Sequence, residues 1–410
     1  MKYWAPIPLA AFLSALAPHH ASACPPTNNP CGIFHFRDYL TGGAPQGGVI
    51  LGPDGTLYGE TLYGGTKPCH ATYGEVGYGC GTVYSISKAG GYKVLVSFHG
   101  PNGAFGASTP TLVGNTLYGT TERGGTGKNG VIFAVNTDGS NFTLLHQFNG
   151  TDGSNPVGPL LPGPNGILYG ITNDGGSGFP NQNPGVLFSL TPTGTYTILY
   201  EFSEADGANP TTMIMTPSGV LVGGTYFGGP GNNICGAQGC GVVFSFDPAN
   251  VQYTVLKTYD GTAGTSPYIG SVATNDTVYG NDDNLFSITL AGDYTLLAQS
   301  NPYLTGETPA SGPLLAANGM LYGTYSSGIG TIPGGTLYSY NPSNPGILNA
   351  LCYFGTSTSG SSPDSQPTLA PNGDLIGTTL YAGSKHLEVS GAIYDCTPES
   401  PDLTPPKSVP

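Results

Sequence analysis

Charge is scarce in this chain. Only 8% of its 410 residues are Asp, Glu, Lys or Arg, and 10 Lys and Arg face 24 Asp and Glu, a net charge of −14. So poor a supply of cations excludes a surface built for phosphate backbones or anionic membrane faces, so nucleic acid is not an expected partner. Tryptophan is nearly missing too, Trp4 being the one residue. Beyond residue 23 no apolar run approaches the ~20 residues of a membrane-crossing helix, and no transmembrane segment is expected. Apolar residues nowhere keep a 3.6-residue period over a helix length, which excludes helical bundles and helical repeats. No His/Cys grouping has zinc-ligand spacing, and no G-x-S-x-G elbow sits on a strand-to-helix turn. Neither a metal nor a cofactor is expected.

What is plentiful is Gly (67), Pro (37), Tyr (26) and Phe (16). Gly and Pro at this level suggest low complexity, but the aromatics recur at regular intervals, as in a repeating β fold. Residues 1–23 read as an export signal: Lys2, then the apolar run Ala5 to Ala17, then Ala21-Ser22-Ala23 before a cleavage near Ala23. Lipidation at Cys24 is the alternative reading, but Ala21 stands where that signal wants a Leu-like residue. All eight cysteines follow the signal. An even count in an exported chain favours disulfides, and the expected location is secreted or at the cell surface.

The repeat is plain. A Leu-Tyr-Gly-like tripeptide occurs at Leu57, Leu117, Leu168, Leu221, Val278, Leu321 and Leu375, a mean period of about 53 residues and in the range of propeller blades. Each unit contains four strand-like runs bounded by Gly, Pro, Asn or Asp turns. Around Leu168 they are Pro156 to Leu161, Ile167 to Thr172, Gly185 to Leu190 and Tyr196 to Phe202. The expected fold is all-β: a seven-bladed β-propeller of four-stranded antiparallel blades over residues 24–396, followed by a Pro-rich tail, 397–410.

The seventh unit has a third strand, Gly391 to Cys396, and no fourth. The run Gly32 to Phe36 precedes the first unit at the spacing of a fourth strand, so it is expected to complete the last blade and remove exposed edges. That closure places Cys396 near Cys31, and a Cys31–Cys396 disulfide is expected to lock the ring. Cys69 with Cys80 and Cys235 with Cys240 are local pairs; the pairing of Cys24 and Cys352 stays open.

The pattern P…G-x-L-Y-G-T-T-x-x-G-G…G-x-V-F-x-(I/L/V)…G-x-Y-T-x-L-x-x-F resembles the Gloeo/Verruco ("GloVer") tandem repeat of exported bacterial proteins. Asn115 to Val135 and Gly319 to Tyr340 carry it most clearly, and the likeness covers nearly all of residues 32 to 396. The unit at Val278 departs most, having lost its glycine-rich loop. The resemblance implies a secreted or surface protein but no activity. WD40 and kelch blades use structural tryptophans and are set aside.

Loops between second and third strands and loops between blades emerge on one face, where function concentrates. The residues that break the repeat there are Glu60, Tyr63, Glu122, Arg123, Asp174, Tyr226, Asp282, Asp283, Tyr325 and Tyr381, and these ten are the candidate ligand-binding set. Carboxylates among them are suited to acid–base attack on a glycosidic bond, and tyrosines to stacking on sugars. Set against that, polar loop residues are usually just solvated or cap turns. His35 and His146 read as packing or surface residues, and Lys385, His386 and Glu388 form a loose cluster. The Asp-Gly pairs at Asp152, Asp206 and Asp260 read as turns rather than Ca²⁺ sites. Three functions remain open: a monomeric binding propeller for a glycan or surface protein, a carbohydrate-active enzyme, and a structural surface component with a plugged channel.

Overall fold

The computed structural model describes residues 31–36, 41–67, 69, 79–179, 183–231, 234–262, 264–300, 308–327, 334–346, 348–355, 359–381 and 391–397. The expected signal, Cys24, Lys385, His386 and Glu388, and the tail from 398 lie outside them. Seven antiparallel sheets follow one another along the chain. Blade 3 shows the plan: inner strand Ser154–Pro162, second strand Leu168–Asp174, third strand Val186–Leu190 and outer strand Tyr196–Glu201. In blade 7 the third strand Gly391–Cys396 pairs with Cys31–Phe36, so the N-terminal strand is the outer strand of the last blade. The single turn Pro164–Gly166 is the one helical element among the described residues.

The tripeptide has a packing reason. Its glycine lies opposite an aromatic of the third strand in every blade, as Gly59 does Tyr84 and Gly170 does Phe188. In all seven blades a Cβ on that glycine would run into the ring, Tyr84, Phe133, Phe188, Phe244, Phe286, Tyr338 or Tyr394. The ring lies flat in the space a side chain would take. Second and third strands are accordingly buried along nearly their whole length, while outer strands alternate.

Blades are joined by a second ring. In most blades the aromatic that ends the outer strand meets the third-strand aromatic of the next blade edge to face: Phe98 and Phe133 at 5.4 Å, Phe148 and Phe188 at 5.8 Å, Phe202 and Phe244 at 5.1 Å, Phe354 and Tyr394 at 4.7 Å. Phe36 does the same to Tyr84 at 5.2 Å, across the closure. Each such pair contributes about 0.5–1.5 kcal/mol beyond the area it buries.

On the loop face the blades are also stitched by backbone. In most blades the residue at the start of the inner strand takes a left-handed conformation, as in Phe105, Asn155, Asn209, Ser266 and Ser362. Its N–H donates to the blade before it: Asn155 to the Asn129 carbonyl, Asn209 to that of Pro184, Ser362 to that of Gly334. In most blades a proline follows and sits on the glycine that opens the preceding third strand, Pro156 on Gly130 and, across the closure, Pro45 on Gly391. At the centre, the Gln366 amide donates to the carbonyls of Gly270 at 2.9 Å and Gly312 at 3.1 Å, linking the inner strands of blades 7, 5 and 6.

The local disulfides Cys69–Cys80 and Cys235–Cys240 are present. The expected Cys31–Cys396 bond is not, because Cys396 is bonded to Cys352. The strand register explains the difference: Cys31 lies opposite Asp395, and neighbouring residues of a strand point to opposite faces. Cys396 therefore turns into the seam between blades 6 and 7, beside Phe354 and Tyr394. The closure is held instead by strand pairing, by Phe36, and by the Thr378 hydroxyl donating to the Gly47 carbonyl at 3.0 Å. The Asp-Gly pairs are turns: Asp152 accepts from the Asn149 N–H, Asp206 from that of Ser203 and Asp260 from that of Thr262. The three disulfides point to an oxidising, extracytoplasmic setting, and among the described residues no helix is long and apolar enough to cross a membrane.

The Cys352–Cys396 bond closes 44 residues, for which chain entropy gives about 4 kcal/mol. The double variant Cys352→Ser/Cys396→Ser is expected to lose roughly that amount in a denaturant titration. An unchanged midpoint would mean the bond adds nothing.

Candidate functional site

The ten candidate residues divide by their distance from the tripeptide glycine. Those one or two residues beyond it are inside the blade, because the second strand runs on: Glu60, Asp282 and Tyr325 are all 0% exposed. Those three or four beyond it reach the surface: Arg123, Tyr226 and Asp283 are exposed, and Tyr63, Glu122, Asp174 and Tyr381 half-buried.

Glu60 is therefore not at the mouth. In its place other blades carry a donor aimed at the next inner strand: Thr324 to the Ser365 carbonyl, Thr378 to that of Gly47, Asn281 to that of Ser311. Glu60 points the same way into the seam with blade 2, where Gly106 stands in the place of the usual proline. A Cβ on Gly106 or on Gly119 would strike its carboxyl group. Neither carboxyl oxygen has a hydrogen-bond partner. Burial holds the acid well above the usual carboxylate range, and the nearby Ser108 hydroxyl opposes this only in part. Glu60 is thus a neutral acid in a donor's place.

Asp282 replaces the threonine that elsewhere closes the loop. It accepts from the Tyr294 hydroxyl at 2.9 Å and the Asn284 N–H at 3.3 Å, beneath the Lys257 ammonium, which lies 4.1 Å from the Tyr294 ring centroid. Burial pushes it up to about 6, with those hydrogen bonds opposing. Tyr325 packs on Tyr338, ring centroids 5.3 Å apart, in the core of blade 6. Both are core residues in a polar or aromatic packing role.

The surface residues form two groups. Glu122 and Arg123 of blade 2 and Asp174 of blade 3 line one cleft of about 110 Å³ at their seam, with Lys128, Asn129, Ser154 and Asn155. Burial raises both carboxyls, and the Arg123 charge acts against it. Two Asn amides, from Asn155 at 3.3 Å and Asn209 at 3.2 Å, donate to Asp174.

The second group surrounds the channel mouth. Tyr226 is 41% exposed and Phe227 36%, and the Tyr226 hydroxyl lies 2.8 Å from that of Tyr268. Burial chiefly raises the Tyr268 phenol, and Tyr226 and Asp364 add to it. Burial pushes Asp364 up to about 6, opposed by a hydrogen bond from Gln46. Tyr268, Asp364 and Gln46 belong to blades 5, 7 and 1, whose inner strands approach one another only around the axis; below them the Gln366 bridge narrows the channel. Asp283 carries φ +76° and accepts from the Thr265 hydroxyl at 3.4 Å. Tyr63 packs edge-on to Phe105 at 5.9 Å, and Tyr381 ends the second strand of blade 7.

Sequence reasoning missed Gln46, Tyr268 and Asp364. Their signal was available: each directly follows the recurring inner-strand proline, Pro45, Pro267 or Pro363.

The chain matches the Gloeobacter/Verrucomicrobia repeat over residues 24–233 and again over 69–284. It belongs to that family. No curated protein matches this family member in sequence. Among solved structures it is similar to a streptogramin B lyase, at 12% identity and TM-score 0.57, over 89% of this chain and 97% of that one. It is also similar to virginiamycin B lyase from Staphylococcus aureus (13%, TM-score 0.54, 86% of this chain and 95% of that chain) and to oligogalacturonate lyase from Vibrio parahaemolyticus (13%, TM-score 0.53, 91% and 92%). At these identities the likeness extends to the fold alone: the Gloeobacter/Verrucomicrobia repeat here builds a seven-bladed propeller.

Glu60 gives a pH test. The folded state keeps its proton above the ordinary value of 4.5, so it binds more protons than the unfolded chain and stability falls as pH rises past 4.5. Glu60→Gln supplies a permanent donor. It is expected to stabilise the protein by about 1–3 kcal/mol at pH 7, a gain that shrinks towards pH 4, measured by denaturant titration at both values. A loss at pH 7, or a gain independent of pH, contradicts the assignment.

Proposed function

We propose that this chain is an exported binding propeller, with residues 1–23 as its signal, which takes a glycan on its loop face. One observation carries the reading. Nine large hydrophobic residues are exposed among those described, and the three on the loop face are Tyr226 and Phe227, at the end of the second strand of blade 4, and Ile234 in the loop after it. The others lie on outer strands, at the ends of the inner strands Thr111–Val113 and Thr368–Leu369, or on a turn of the opposite face. The second strand fixes Tyr226 and Phe227, and the Cys235–Cys240 bond tethers the loop after them; stacking on a rigid aromatic is how a sugar ring finds apolar area at little entropic cost. Asp283, Asp364, Gln46 and Tyr268 beside it offer the acceptors and donors that hydroxyls require. Solubility and neutral ligands suit the net charge of −14.

Asp364 favours a second reading, cleavage of the glycan. A carboxyl pushed up to about 6 at a channel mouth is protonated often enough near neutrality to serve as a general acid.

The test is a glycan-array and polysaccharide screen on disulfide-intact protein, with mass spectrometry of every hit. Binding without products, weakened about tenfold or more by Tyr226→Ala, is the expected result. Products lost in Asp364→Asn would make the protein an enzyme. Absence of both binding and products would overturn the glycan reading and leave a surface-protein partner or a structural role.

A further inference from the structure

We propose that the cleft between blades 2 and 3 is a binding site for a small α-amino acid, separate from the glycan platform of blade 4 and independent of it.

The first argument is the supply of charge. The chain has 10 Lys and Arg in 410 residues, yet two of them, Arg123 and Lys128, stand on this one cleft of about 110 Å³. Both are exposed at its rim, and the carboxyls of Glu122 and Asp174 are half-buried beneath. Among the described residues the single ion pair is His146–Asp152, so neither cation is bonded to either carboxylate. Two cations and two anions thus face a common space without closing on one another. A lone anion or a lone cation satisfies one pair and leaves the other. A zwitterion satisfies both, its carboxylate at the rim on the Arg123 fork and Lys128, its ammonium inward on Glu122 and Asp174.

The second argument is that this seam departs from its repeat. At the seam of blades 3 and 4 the equivalent space is closed by Asn209, whose amide donates to the Asn173 carbonyl at 2.9 Å, to Asp174 at 3.2 Å and to the Asn183 carbonyl at 3.4 Å. At the seam of blades 2 and 3 Asn155 holds the same left-handed backbone position. Arg123 stands where Asp174 stands one blade on, so the amide has no carboxylate to reach across the seam. It turns to Asp174 of its own blade, and its Oδ1 is buried with no partner. This seam therefore lacks the amide–carboxylate bond between blades that closes its neighbour. The cleft is small, about 110 Å³, and suits glycine, alanine or serine rather than a longer amino acid.

The experiment is isothermal titration of disulfide-intact protein with glycine and L-serine, and with acetate, methylammonium and CaCl₂ as single-charge probes. The expected result is saturable binding of the amino acids, with acetate and methylammonium each at least tenfold weaker. Arg123→Gln and Asp174→Asn should each weaken amino-acid binding tenfold or more with unfolding midpoints within a degree or two of the parent. Arg123→Lys, which keeps the charge and loses the fork, should weaken it less than Arg123→Gln, and Lys93→Ala on an outer strand should change nothing. Acetate binding as tightly as glycine would make this an anion site, and Ca²⁺ binding lost in Asp174→Asn a cation site. Either outcome, or no amino-acid binding at millimolar concentration, overturns the proposal.

Discussion

The fold depends on aromatic rings that lie against glycine. A ring on each third strand covers the tripeptide glycine of its own blade, and at five seams the ring ending the previous outer strand stands edge-on to it, as Phe148 does to Phe188. Neither contact exists without the other, because a side chain on the glycine would lift the ring out of reach of the next blade. The chain thus has no independent blade. Stability comes from the seams between blades, and Phe36 on Tyr84 makes the one that joins blade 7 to blade 1.

That dependence explains what could be read from the sequence. Seven units, four strands each and closure by the N-terminal strand were legible because every blade repeats the same packing problem with the same residue types. Loop boundaries were not. The tripeptide marks the middle of the second strand and not its end, so Glu60, Asp282 and Tyr325 looked like loop residues and proved to be inside a seam or core. Glu122, Arg123, Asp174 and Tyr226, only one to three residues further on, are at the surface. The Cys31–Cys396 expectation failed for a related reason: adjacency of strand ends says nothing about which face a side chain takes, and Asp395, not Cys396, shares the register of Cys31.

Function lies where the repeat is broken and the break is not repaired. Glu60 and Gly106 break it together, and each accommodates the other, so the seam stays closed. Asp282 breaks it and is absorbed by Tyr294 and the loop backbone. Around Tyr226 and Asp364 the departures are left open to solvent, as they are in the cleft of Glu122, Arg123 and Asp174. The loop face has a rigid base, since its residues hang from strands whose positions seven seams fix, and such a base is what a preorganised binding surface needs.

The measurement that tests this account most directly is native-state amide hydrogen exchange on the oxidised protein. The N–H groups of Phe105, Asn155, Asn209, Ser266 and Ser362 each cross a seam to the preceding blade. If the ring opens only as a whole, these amides should share one opening free energy with the second- and third-strand amides of all seven blades. Selective early exchange in blades 1 and 7, with the others protected, would show that the closure is a weak latch and that the seams do not support one another.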